Sequence, residues 1–186
     1  IPLLGEHARE RIERTAAFWR AWSETCGYEG PYRDEVVRSM LVLKLLSFAP
    51  SGAIVAAPTT SLPEVIGGEH NWDYRYCWLR DASYTLRALY ALDFDAEAEA
   101  FGSWILHATR LSWPELRILY DVYGRDSPKE RELDHLAGYA ESGPVRIGNG
   151  AAGQLQLDLY GEVTDAALRY AERGGCFERE TAHMLK

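Results

Sequence analysis

"NWDYRYCWLRDAS", residues 71–83, sets Trp72, Tyr74, Tyr76 and Trp78 at every second position and then breaks into the adjacent opposite charges of Arg80 and Asp81. Alternation at period two describes an extended segment that carries its rings on one face. A helical pattern over about 82–92 follows it, so Asp81 stands where a helix N-cap belongs. Two readings fit this arrangement. In one, the rings are the buried face of a strand, Asp81 caps the helix and Arg80 is a solvated charge. In the other, an extended segment entering a helix presents rings and an ion pair to a pocket. Flat rings stack on the apolar faces of sugars or bases, and an Arg/Asp pair supplies forked donors and paired acceptors for neighbouring hydroxyls. That combination suits a polyhydroxylated ligand.

Outward from this stretch the periodicity is helical. Ile12, Thr15, Ala16, Trp19 and Trp22 recur at three- and four-residue steps, as do Val37, Met40, Leu41 and Leu45, which predicts helices over about 6–25 and 32–48. A further apolar face runs through Ala100, Phe101, Trp104, Ile105, Ala108 and Leu111, with Glu97 in the first turn, where a carboxylate meets the positive end of the helix dipole. Residues after Pro114 predict one more short helix. Ala152, Leu155, Leu159, Val163, Ala166, Ala167 and Tyr170 predict another, stopped by Gly174 and Gly175. Between the second helix and the aromatic motif lies a long irregular connection, about 50–78, with prolines at 50, 58 and 63 and a short β-like run over 53–57. Connections of that length without regular structure tend to be functional.

Composition narrows the partners. The 186 residues are 47% hydrophobic, enough for one ordinary domain with a core. Lys plus Arg number 20 against 28 for Asp plus Glu, so the net charge of −8 argues against nucleic acid. No apolar run approaches the roughly 20 residues of a bilayer crossing. The opening residues do not read as a signal peptide. The odd, widely spaced Cys26, Cys77 and Cys176 fit free thiols in a reducing compartment, and the reading is cytoplasmic. His7, His70, His107, His135 and His183 show no metal-ligand spacing, and neither a phosphate loop nor a serine-nucleophile elbow occurs. No metal or cofactor is expected. His70 lies next to the aromatic motif and reads as packed or surface. Ile1 is not an initiator methionine and the ending "FERETAHMLK" shows no helix stop, so the expectation is a piece of a longer protein.

Two motifs make the chain recognisable. "GAIVAAPTTSLPEVIGGEHNWDYRYCWLRDASYTL" and, downstream, "PVRIGNGAAGQLQLDLYGEV" resemble the bacterial branch of glycoside hydrolase family 15, which contains glucoamylases, α-glucosidases and trehalases. The resemblance extends from "FWRAW" and "YEGPYRDEVVRSMLVLKLL" to "LYGEV". It implies an all-α fold of helical hairpins forming part of an (α/α)6 barrel, with residues 1–186 as the N-terminal portion of the catalytic domain and no second domain. It also implies that Tyr74, Trp78, Arg80 and Asp81 line the site for a terminal glucose. Arg146 matches a basic position near the pocket, so it is expected to contact the substrate or support that contact. Asn149 reads as a helix N-cap, and Gln154 and Gln156 as structural.

The implied substrate is an α-linked glucose oligosaccharide or trehalose. Family members invert configuration with two carboxylates. Neither has a matching position in this chain, so the acid and base are expected beyond residue 186. Glu178 and Glu180 read as solvated charges. Two alternatives stand beside this: a non-catalytic carbohydrate-binding or scaffold remnant, and a different toroidal glycosidase with its acid and base among Glu64, Glu69, Asp73 and Glu141. A partial helical ring leaves an apolar edge, so homo-oligomers are expected through it.

Overall fold

The computed structural model describes residues 2–185. The fold is all-α. Its six helices among the described residues are α1 (Pro2–Ser23), α2 (Arg33–Leu46), α3 (Ala82–Ala91), α4 (Asp95–Ser112), α5 (Asp158–Glu172) and α6 (Arg179–Met184). α1 packs on α2 and α3 on α4, while α5 lies across both α3 and α4 and α6 rests on α4. None of these helices is long and apolar enough to cross a membrane.

α4 is the hub because its apolar residues cover more than a stripe. Phe101, Trp104, Ile105 and Ala108 are buried as their spacing predicts, and Ala98, Gly102, Leu106 and Thr109 are buried with them. Ala100 and Leu111, assigned to the same face from the sequence, are exposed. Phe101 stacks on Trp104 at 5.9 Å, and the Trp104 Nε1 donates to the Val122 carbonyl at 3.1 Å. A polar clamp ties the first helical pair to this hub. Glu97 in the first turn of α4 accepts from Trp22 Nε1 of α1 at 2.8 Å and from Lys44 Nζ of α2 at 2.6 Å. Trp22 also stacks on Phe94 at 4.4 Å. Burial raises the Glu97 carboxyl, but the hydrogen bonds from Lys44 and Trp22 together outweigh it, and the group sits below its ordinary value.

The connections carry short strands. α2 ends at Ser47, where the backbone turns extended and β1 (Ser47–Phe48) pairs antiparallel with β2 (Ala53–Ile54). Gly52 makes that turn possible: its φ is +84°, and a Cβ there would meet the Ala100 carbonyl oxygen at 2.4 Å. The expected β-like run over 53–57 is therefore a strand only at its start. Beyond it, the irregular segment forms two loosely paired arms, with Ala56 and Ala57 donating to the Tyr76 and Tyr74 carbonyls and Ser61 to that of Trp72.

Three expectations change. No helix follows Pro114; Ile118, Leu119 and Tyr120 are all buried, a run that suits a strand covered on both faces, and β4 (Leu119–Tyr120) pairs with β3 (Cys77–Trp78). The last large helix does not begin at Ala152. Gly150 and Gly153 disfavour helix continuation, residues 150–153 close a single 3₁₀ turn, and α5 starts only at Asp158, leaving Leu155 exposed. The charged ending forms α6, whose Thr181 and Met184 are buried, while Glu178 and Glu180 stay solvated as expected and pair with Arg110 at 2.7 and 3.2 Å. The first helix also departs from its pattern: Ala16, Trp19 and Trp22 are partly covered, while Ile12 and Thr15 face outward. A third small sheet pairs β5 (Arg131–Glu132) with β6 (Arg146–Ile147).

Candidate functional site

A cleft of about 650 Å³ opens where the residues just before α3 and just before α5 meet. Trp72, Tyr74 and Trp78 form its aromatic side, with Tyr74 and Trp78 ring centres 5.8 Å apart. Three of the four alternating rings arrive there, and the expected single face breaks after Tyr74. Trp72 and Tyr74 share the cleft side, while Asn71 and Asp73 point to the buried side; past them the fourth ring, Tyr76, is buried too. Burial holds the Tyr76 phenol above its ordinary value, opposed in part by a hydrogen bond with Ser127.

Arg80 and Asp81 follow, at the rim of the cleft. Asp81 occupies the N-cap position of α3 but makes no side-chain cap bond; its Oδ2 accepts from Arg80 Nη2 at 3.3 Å. The capping explanation for this aspartate is thus not the structural one. Arg80 Nη1 turns the other way and donates to Gln156 Oε1 at 3.4 Å, and Gln156 Nε2 donates to Gln154 Oε1 at 3.0 Å. The opposite wall includes Glu130, whose Oε2 accepts from the Gly150 backbone N–H at 2.9 Å.

A buried polar scaffold holds these walls together. Asp73, fully buried, accepts from Arg75 Nε and Nη2 at 2.9 and 2.8 Å and from the Gly148 N–H at 3.1 Å. The bond that Arg75 donates to Asp73 is also what raises the guanidinium above its ordinary value. Asn149 donates to the Asp73 carbonyl at 3.0 Å while its Oδ1 accepts from Ala151, so it caps the 3₁₀ turn rather than α5. Gly148 sits so close to the neighbouring loop that a Cβ would meet the Pro128 carbonyl oxygen at 2.4 Å, with φ at +81°. The buried Asp73 charge is tolerated because Arg75 and the Gly148 N–H supply its partners, and removing one leaves it uncompensated.

Of the residues expected at the site, Tyr74, Trp78, Arg80 and Asp81 come together on one cleft. Arg146 lies behind it. Its Nη1 bonds Asn71 Oδ1 and the Glu69 carbonyl, and its guanidinium stands 3.7 Å from Glu130 and 3.6 Å from Glu132. The arginine thus reaches the cleft through Glu130, while Asn71 holds it from the buried side. Asp73 is committed to Arg75, and Glu64, Glu69 and Glu141 are exposed outside the cleft lining. His70 leans on Trp72 at 5.1 Å and faces Glu64 at 3.7 Å.

The lining also includes side chains not assigned to the site from the sequence, among them Trp72, Glu130, Asn149, Gln154 and Gln156. The alternation that selected Tyr74 also marks Trp72. Glu130 and the two glutamines carry no local signal, because they reach the cleft only through the folding of two distant loops. A second opening of about 630 Å³ lies between Arg110, Trp113 and α6; Arg110 is paired there with Glu178 and Glu180, and Arg179 also lines it. Among the described residues no three His, Cys, Asp or Glu side chains gather as a metal site.

Comparison with known proteins bears on this cleft. The profile described as "Glycosyl hydrolases family 15" matches residues 30–185. A trehalase of Mycolicibacterium smegmatis is 43% identical over 175 residues, covering 92% of this chain and 26% of the relative. A trehalase of Thermoplasma acidophilum is 44% identical over 165 residues, covering 89% and 28%. One from Mycobacterium tuberculosis is 41% identical over 92% of this chain and 26% of its own length. The chain thus spans about a quarter of the relatives it matches. No solved structure matches it.

Proposed function

The chain belongs to glycosyl hydrolase family 15, and we propose that the protein hydrolyses α,α-trehalose or a related α-glucoside, with residues 72–81 holding the terminal glucose. The observation that carries this reading is the cleft itself: Trp72, Tyr74 and Trp78 face a ligand from the apolar side while Arg80 and Asp81 stand at the edge with donors and acceptors. A pyranose has the same two-sided character, with C–H groups on its faces and hydroxyls around its rim. The name trehalase on the relatives favours trehalose over maltooligosaccharides.

Inversion at the anomeric carbon needs two carboxyl groups about 6.5–9.5 Å apart. The acid gives its proton to the glycosidic oxygen as the bond from that oxygen to C1 breaks. The base takes a proton from water as the water oxygen bonds C1 from the opposite face. Here the carboxylates lining the cleft are Asp81, paired with Arg80, and Glu130, which accepts from Gly150 and faces Arg146. Glu130 is held as a hydrogen-bond anchor, and Asp81 is the carboxylate this reading gives to the sugar's hydroxyls. We therefore assign this chain the binding wall and place the acid and base outside residues 1–186.

The test is glucose release from trehalose and from maltose by the full-length protein. Release from trehalose, lost when Asp81 is changed to Ala, is the expected outcome; no release from either sugar overturns the reading.

A further inference from the structure

We propose that Glu162 is a positioning residue for the sugar-holding carboxylate of Asp81, acting through Ser83, an inference that rests on the α-glucoside reading of the cleft. Glu162 lies in the second turn of α5, partly buried and outside the cleft lining. Its Oε2 accepts from the hydroxyl of Ser83, the second residue of α3, which is buried. Asp81 stands two residues before that serine. A contact made on the core side of α3 is thereby joined, through a short piece of main chain, to the carboxylate at the rim.

Asp81 needs such a support because its own side chain is lightly held. It makes no cap bond to α3, and its partner Arg80 is itself exposed. The place of the carboxylate therefore follows the place of the first turn of α3. Leu86 and Leu89 of α3 and Leu159 and Val163 of α5 are buried in one core, but apolar contact is non-directional and lets packed helices slide. Direction comes from side-chain bonds at the cleft end. The outer bond, Arg80 Nη1 to Gln156 Oε1, is exposed and 3.4 Å long, beyond the usual hydrogen-bond range. The inner bond joins a buried hydroxyl to a carboxylate, and a charge-assisted bond shielded from water is the stronger kind. The inner bond thus sets the end of α3 against α5, and the place of Asp81 with it.

The experiment uses the full-length protein and reads kcat/KM for glucose release from trehalose. Glu162→Ala and Ser83→Ala are each expected to lower it about tenfold, the scale of one hydrogen bond. Glu162→Gln, whose amide oxygen still accepts from Ser83, is expected to recover part of that loss. The decisive readout is the pairing with Asp81→Ala. In that background Glu162→Ala is expected to lower kcat/KM by less than about twofold more, because the group it positions is gone. A contact that only supports the fold acts independently of Asp81, so a second tenfold fall in that background overturns the proposal. Unchanged kcat/KM in both single variants overturns it as well and leaves the bond as packing. Ser83→Ala removes a single oxygen, and the same pairing is made with it where Glu162→Ala does not fold. A parent protein that releases glucose from neither trehalose nor maltose overturns the α-glucoside reading, and this assignment with it.

Discussion

Asp81 begins α3 and yet turns its carboxylate away from the helix, to Arg80 Nη2 at 3.3 Å. A residue in an N-cap position that leaves the cap unmade is available for a ligand. The main-chain carbonyl of Asp81 still accepts from Thr85, so the first helical turn closes without the side chain.

The first prediction separates these roles by substitution. Asp81→Ala in the full-length protein is expected to lower kcat/KM on its glucoside by two to three orders of magnitude, roughly, since hydroxyl contacts that tighten in the transition state of glycosidases are worth several kcal/mol. The melting temperature should hardly move, because no cap bond is lost; a true N-cap would lose about 1 kcal/mol. Near-normal activity with a lowered melting temperature would return Asp81 to the cap.

Glu97 makes the second prediction, through pH. Its folded carboxyl lies below its ordinary value, so the bonds to Lys44 and Trp22 stabilise the fold fully above the unfolded carboxyl's pKa, near 4.3, and are lost as pH falls through the lower folded value. Glu97→Gln is expected to destabilise by about 1.5–3 kcal/mol at neutral pH, the range for hydrogen bonds to a charged group. Denaturant titrations of the parent and the variant should converge as the solution is acidified below pH 4. A gap that stays constant with pH would show that the carboxylate charge is not what ties α1 and α2 to α4.

Thiol chemistry supplies the third. Cys26 and Cys77 are buried and Cys176 is exposed. Burial pushes the Cys77 thiol upward, away from the reactive thiolate, and its backbone bond to Ile54 offsets this only in part. A thiol reagent added to the folded chain should label Cys176 first, with Cys77 following only on unfolding. Early modification of Cys77, read by mass spectrometry of peptides, would contradict the packing of β3 against β4.

The fourth concerns the uncovered apolar residues. Ile12 is 68% exposed, Leu45 64%, Leu155 79% and Leu157 75%, more large apolar surface than a lone soluble chain usually shows. The isolated 186-residue chain is expected to associate, and light scattering should report a mass above the monomer's 21.0 kDa. A stable monomer at micromolar concentration would show that these side chains do not seek a partner.

The helices were legible because their evidence is local. Phe101, Trp104, Ile105 and Ala108 announce the buried face of α4 by spacing alone, and Leu159, Val163, Ala166 and Ala167 do the same for α5. Ambiguity arose where a short apolar run fits two periods: Ile118, Leu119 and Tyr120 read as helix until β3 claimed their backbone. Leu155 read as core because its spacing matched, although the glycines on either side of the 3₁₀ turn prevent the helix from reaching it.

By itself, the sequence determined the all-α class, the position of the irregular connection, and the placing of Tyr74, Trp78, Arg80 and Asp81 on one stretch, because a period and a motif are properties of neighbouring residues. Only the tertiary structure decided that Asp81 faces Arg80 instead of capping α3, that Arg146 stands behind the cleft, and that Glu130, Gln154 and Gln156 join its wall. The places of Arg146 and Gln156 depend on contacts between segments 75 and 76 residues apart, such as the 3.4 Å bond from Arg80 to Gln156. Such a contact is set by how β6, the 3₁₀ turn and α5 dock on the aromatic arm, and no local pattern of side chains records it.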